Sequence, residues 1–266
     1  MFHSCKLWIR TVTAALVATM LTAPLASAHK TYLATERTVW EAGSEVTVGL
    51  TSALEFPDIE TGPARNRIDF TSVRVGHDEV VEDLTYEETP TALRVSFTPQ
   101  STGFASVAIS ALPRSGEIAP EDVALYFDEI GADAVTRAAF DALPGDPAMM
   151  RSYTKHTKIF LCVETCESGA DMAAVPVGQA LEFVAGQGNP RSFVLLWQGE
   201  ALPRHDVDIY SASGRHERLE TNSDGQFEIG SDLSGAVLVS AVRITLPDEP
   251  SGIYHSDQAT LAVTLR

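Results

Sequence analysis

The sequence predicts a mostly β protein, built as two antiparallel β-sandwich-like domains with a short α-helical insertion between them. Two observations predict it. Short runs of β-branched and aromatic residues recur along most of the chain, several alternating apolar with polar, and Gly, Pro, Asn and Asp turns separate them. One stretch, 120–143, changes to a helical period, and it falls between the two strand-rich regions.

Residues 1–28 read as an export signal. Lys6 and Arg10 supply the basic start, 11–25 is apolar, and Ala26 and Ala28 are the small residues before a cut. The apolar run is roughly 15 residues, short of the ~20 that a spanning helix needs. Cleavage after Ala28 gives a periplasmic or secreted chain, 29–266, with no stable membrane insertion.

The N-terminal β domain is placed at 29–118, with strands at 31–33, 45–50, 68–75, 93–97 and 104–109. A helical connector follows at 119–158. Pro120-Glu121-Asp122 starts a helix, with proline early and acids in the first turn. Val123, Tyr126, Phe127 and Ile130 then recur at helical spacing. A second helix, 133–143, places Val135, Ala138, Ala139 and Ala142 on one side. Arg151, Lys155, His156 and Lys158 make a basic run. It reads as a solvated helix end that pairs with acids of the neighbouring domains, or as an anion or carboxylate contact. The C-terminal sandwich is placed at 159–266, with strands at 159–163, 181–184, 193–197, 207–210, 226–229, 237–242 and 259–265. Asn222-Ser223-Asp224-Gly225 is a turn between two of them.

The formal charge is −17, and removing Lys6 and Arg10 with the leader takes it to −19. Such a surface argues against nucleic acid and anionic lipid as partners. It suits solubility and the attraction of cations. Loss of Cys5 with the leader leaves Cys162 and Cys166. In an oxidising compartment this pair reads first as a disulfide, with soft metal thiolates or free thiols as alternatives.

The candidate site begins at the predicted cut. An N-terminal His29 would hold an α-amine and an imidazole on one residue. The amine's ordinary pKa is near 8, so a metal can displace its proton at neutral pH. One more imidazole would complete a three-nitrogen site suited to copper or nickel. His77, His156, His205, His216 and His255 are the candidates. His255 and His77 rank first, as loop residues flanked by acids that could orient a ring. No G-x-S-x-G, H-E-x-x-H, P-loop or G-x-G-x-x-G motif is present, so catalytic readings are poor. A copper histidine brace with oxidative chemistry would need a flat, aromatic-rich face, and only 8% of the chain is aromatic.

Two resemblances add to this. Gly199, Leu202, Pro203, Val207 and Ile209, then Thr221, Ser223, Asp224, Gly225, Phe227 and Ile229, then Gly235, Leu238, Val239 and Ala241 look like a transthyretin-like or carboxypeptidase-regulatory-like sandwich. That sandwich is architectural and implies no activity of its own. Over the whole mature chain, Ala28-His29, Tyr32-Leu33, Phe56-Pro57, Arg151, Tyr153, Lys155, Lys158, Val177-Gly178, Leu181-Glu182-Phe183-Val184, Asn189-Pro190 and Ala259-Thr260-Leu261 occur in the order of a secreted bacterial family. That family, a domain of unknown function, is linked to nickel or cobalt uptake as the periplasmic substrate-specific component. Lys30 and Tyr32 stand where members usually have an acid and a tryptophan. The resemblance implies a binding or accessory protein for nickel, cobalt or copper beside a membrane metal transporter. The alternatives are a non-metal interaction module of the periplasm and a copper histidine-brace enzyme.

Overall fold

One strand of 15 residues, Met149–Val163, runs through the middle of the molecule and belongs to both sandwiches. The structure, a computed structural model, describes residues 29–77 and 79–266, so the predicted leader at 1–28 lies outside the described residues. In chain order the first region gives β1 (Lys30–Ala34), β2 (Val39–Trp40), β3 (Val46–Ala53), β4 (Ile68–Val75), β5 (Glu79–Val80), β6 (Thr85–Glu88), β7 (Leu93–Phe97), β8 (Gly103–Ala111) and β9 (Arg114–Ile118). Then come α1 (Val123–Glu129), α2 (Ala134–Asp141) and the long strand, β10. The last region gives β11 (Leu181–Ala185), β12 (Ser192–Trp197), β13 (Glu200–Ala201), β14 (Asp206–Ser211), β15 (His216–Glu220), β16 (Gln226–Glu228), β17 (Gly235–Thr245) and β18 (Tyr254–Leu265).

The protein is mostly β, and a single ten-stranded sheet is shared by both halves. Its main path runs β15-β14-β17-β18-β10-β8-β4-β5, and β2 and β9 also pair with β10. A sheet ordered β1-β3-β7-β6 covers one end of it. Tyr32, Val48, Leu50, Leu93 and Val95 of the smaller sheet pack there against Val73, Val107, Ile159 and Leu161. A third sheet of β11, β12, β13 and β16 covers the other end, with Phe183, Leu195 and Phe227 against Val207, Val239 and Leu261. Alternation along β10 serves both cores. Ile159, Leu161 and Val163 enter the first, and Phe160 packs against the second.

Two expectations change here. The sandwiches are not purely antiparallel: β10 pairs in parallel with β18, from Arg151↔Tyr254 to Ile159↔Ala262, and with β2. A parallel pair needs a long crossover, and the whole C-terminal region supplies it. The basic run 151–158 is strand, not helix end. Ser152, Tyr153, Thr154 and Thr157 favour extended backbone there, and β18 pairs with it along its length. The strand therefore continues through position 158, where the sequence reading ends the connector.

The helices lie on the Met149 end of the β10–β18 pair. Asp133 caps α2, its carboxylate accepting from Thr136 N at 2.7 Å. Tyr126, Phe127 and Phe140 pack on Met149 and Tyr254. The side that carries Val135 and the alanines is not the buried one: Val135 is 67% exposed, and α2 buries Thr136 and Phe140. In a helix of two turns the one large ring sets the rotation, and three alanines carry too little area to oppose it.

Local chemistry explains the turn at 222–225. Asn222 Oδ1 accepts from Asp224 N at 2.9 Å and Gln226 N at 3.0 Å. Gly225 adopts φ +71°, and a Cβ there would come within 2.9 Å of Leu195 O. Cys162 and Cys166 are joined as a disulfide, with Cα atoms 4.9 Å apart. It closes the loop after β10.

Candidate functional site

A cleft opens where the N-terminal sandwich, the helices and the C-terminal sandwich meet. Two adjoining compartments share His29, Thr31, Glu129, Ile130, Lys155 and Gln258 in their walls. The smaller, about 350 Å³, faces the C-terminal sandwich. The larger, about 900 Å³, faces the helices and the N-terminal sandwich. Both sizes fall in the range of small-molecule sites.

Strand period places the side chains. Arg151, Tyr153 and Lys155 alternate along one face of β10, and all three line the larger compartment. Lys155 Nζ donates to His29 O at 2.9 Å and to Thr31 Oγ1 at 2.8 Å, fixing the start of β1 against the floor. Thr260 Oγ1 adds a bond of 2.7 Å to Thr31 O. The Arg151 guanidinium lies between the rings of Tyr126, at 5.0 Å, and Tyr153, at 4.9 Å.

Charge is distributed unevenly between the compartments. In the smaller one Arg218 binds the Asp208 carboxylate at 3.0 and 3.2 Å. The larger one holds Arg67, Arg114, Arg151 and Lys155, and among the described residues none of the four makes a salt bridge. Burial, then repulsion from Arg151 and Arg114, draws the Lys155 ammonium down from 10.5 to about 8. Burial raises the Glu129 carboxyl, and Arg151 works the other way.

The predicted metal ligands are not brought together. His29 lies in the wall of both compartments, exposed, its Nε2 3.8 Å from a Glu60 oxygen. His77 pairs with Asp171 at 2.7 Å, in the turn after β4. That turn adjoins Phe104, which faces Cys162. Lys155, against His29, is seven residues back along β10, about 23 Å at 3.3 Å per residue. His255 is in β18 rather than in a loop, because the final strand begins at Tyr254, before 259. Its Nδ1 shares a 2.6 Å hydrogen bond with Ser152 Oγ, and its Nε2 is 3.4 Å from Asp257. Among the described residues no three His, Cys, Asp or Glu side chains group as metal ligands. At His29 the described donors are one imidazole and one carboxylate, with the Lys155 ammonium on the same residue's carbonyl. These side chains alone do not fit a divalent ion.

Sequence reasoning missed the buried polar centre beside the cleft. Ser110 Oγ and His156 Nδ1 share a hydrogen bond of 2.8 Å, and His156 Nε2 is 3.0 Å from Asp257 Oδ1. Ser110, His156 and Asp257 are 6%, 5% and 3% exposed, so the trio is sealed inside the sheet. It satisfies buried polar groups and ties β8, β10 and β18 together. Lys158 pairs with Glu182, whose carboxylate also accepts from Val177 N (2.7 Å), Gly178 N (3.0 Å) and Gln179 N (3.0 Å). The Gly178…Leu181-Glu182 pattern was the available signal: an acid three to five residues after a glycine turn can fold back on its amides.

A family model described as a domain of unknown function (DUF4198) matches residues 26–245. The chain belongs to this family. The match spans the cleft walls from His29 to Arg243, with Lys155 and Arg151 inside it. No curated protein matches the chain. Solved structures similar to it include the D0-D1 domain of Intimin, at 10% identity and TM-score 0.20, over 87% of this chain and 97% of that one. DIP-gamma IG+IG2 with Dpr11 IG1 follows at 9% identity and TM-score 0.18, over 89% and 98%. DIP-gamma IG1+IG2 has 8% identity and TM-score 0.17, over 90% and 97%.

Proposed function

We propose that the DUF4198 chain is an exported, non-catalytic binding module that holds a small ligand in the central cleft, acting in the periplasm or outside the cell. The observation that carries this reading is the convergence of the two sandwiches and the helices on one cleft of ligand size. The Ser110–His156–Asp257 trio supports a binding role, because it is closed off from that cleft. Among the described residues no helix is long and apolar enough to cross a membrane. The test is a thermal-shift screen of the processed protein against small metabolites, with turnover followed by mass spectrometry. Ligands that raise Tm and are recovered unchanged support the reading. A screen with no stabilising ligand, or conversion of one to product, contradicts it.

A second reading is favoured by the His29–Glu60 pair. Cleavage after Ala28 would free an α-amine beside that imidazole and carboxylate, giving three donors for nickel, cobalt or copper next to a transporter. Metal titration of the processed protein, compared with a form carrying an extra N-terminal Met and with Glu60→Gln, decides it. Equal affinity in all three removes the reading.

A further inference from the structure

The larger compartment is cationic in a chain of 36 acidic and 19 basic residues. Two acids, Asp122 and Glu129, line it, and neither is within ion-pair distance of the four cations. Some cations elsewhere have a carboxylate partner, Lys158 with Glu182, Arg218 with Asp208 and Arg137 with Asp128 at 2.9 Å, but what sets the larger compartment apart is that four cations line one cavity with two acids. Lys155 loses solvation there and is repelled by Arg151 and Arg114, Arg114 being exposed, while Arg67 donates to Leu112 O at 2.6 Å and Pro113 O at 3.3 Å. Two of the three Lys155 protons are engaged by His29 O and Thr31 Oγ1, which leaves a third donor. The buried Nε of Arg151 has no hydrogen-bond partner, and its guanidinium lies 5.0 and 4.9 Å from the ring centres of Tyr126 and Tyr153. Part of the wall is apolar. Ile118 and Ile130 line it, and Leu112 and Leu125 are among the few large hydrophobic side chains left exposed.

We infer that the cleft binds a small amphipathic carboxylic acid, with its carboxylate held by Arg151, Lys155 and Arg114 and its apolar body lying along Ile118, Leu112 and Leu125. This rests on the reading of the cleft as a ligand site and gives that ligand its class. A planar guanidinium matches a carboxylate in two-point geometry, and Lys155 adds a point charge at its side. The apolar wall then distinguishes such an acid from an inorganic anion. Because Lys155 must be charged to contribute, binding weakens as pH rises through about 8.

Isothermal titration of the processed protein with octanoate, octylamine and inorganic phosphate tests the inference. Octanoate binds one to one, octylamine does not, and phosphate binds more weakly than octanoate. Arg151→Met and Lys155→Met each weaken octanoate by roughly 10–100-fold, the range of one lost charge-assisted hydrogen bond. Leu125→Glu, on an exposed wall position where folding is not at stake, also weakens it. Octylamine binding as well as octanoate, or phosphate binding better, overturns the carboxylic-acid assignment. If neutral or cationic metabolites then stabilise the protein in the thermal-shift screen, the cleft remains a binding site and only its ligand class falls.

Discussion

Lys155 and Lys158 lie three residues apart on one strand, and the fold treats them in opposite ways. Lys158 is 2% exposed, and it meets a carboxylate that is itself held by three backbone amides. Lys155 meets a carbonyl and a hydroxyl, with two arginines near it and no carboxylate in contact. The buried centre shows that this sequence can build a complete shell around a charge. The cleft shows Arg114, Arg151 and Lys155 without a carboxylate partner, beside Arg67, which two backbone carbonyls take up. That difference separates charges used to hold the fold from charges available to a ligand.

The largest effect should come from breaking the complete shell. Glu182→Ala leaves Lys158 buried without its counter-ion and three amides without an acceptor, and should cost about 3–5 kcal/mol in urea unfolding. A loss under about 1 kcal/mol would mean the pair is not a structural centre. Next, replacing Cys162 and Cys166 by serine should cost about 2 kcal/mol, the chain-entropy value for so short a loop. Octanoate affinity should stay unchanged, since the disulfide lies at the far end of β10 from Lys155. The smallest effect should come from the cleft. Lys155→Met should leave stability at pH 7 equal or slightly higher, because it removes a charge that the fold holds at a disadvantage.

The pH dependence of that last variant sharpens the contrast. The folded pKa of Lys155 is about 8, below the 10.5 of the unfolded chain. Between these values the unfolded state binds more protons, so stability rises with pH there. The penalty is full below about 8 and is relieved between about 8 and 10.5. The advantage of Lys155→Met in urea unfolding should therefore shrink from pH 7 to pH 10. An advantage that stays constant would place the effect in packing rather than charge.

Much of the fold was legible in residue pattern. The limits of β4 and β7 follow directly from alternation bounded by turns, and Asp133 and Pro120 mark the helix starts. The first half of β10 was not legible, since Arg151, Lys155 and Lys158, four and three residues apart, have the spacing of a solvated helix end. They are held in strand by the parallel partner β18, which comes from about 100 residues later in the chain. His29 was singled out as a metal ligand at the predicted cut, and its place in the cleft wall was not legible. Nor was its convergence with Arg67, Arg114 and Arg151, because a turn before β4 and the strands β9 and β10, far apart in sequence, bring them together. The ranking of His255 and His77 rested on acids next to them in sequence. Those rings do meet carboxylates, Asp257 and Asp171, but in two separate places.

The central claim is that Lys155 is kept for an anion rather than for the fold. NMR titration of its side-chain amine, with and without saturating octanoate, tests this most directly. The account predicts a midpoint near 8 in the unliganded protein and an upward shift when the acid binds. A midpoint that stays put on addition of octanoate, or one already at the ordinary lysine value without it, would contradict it.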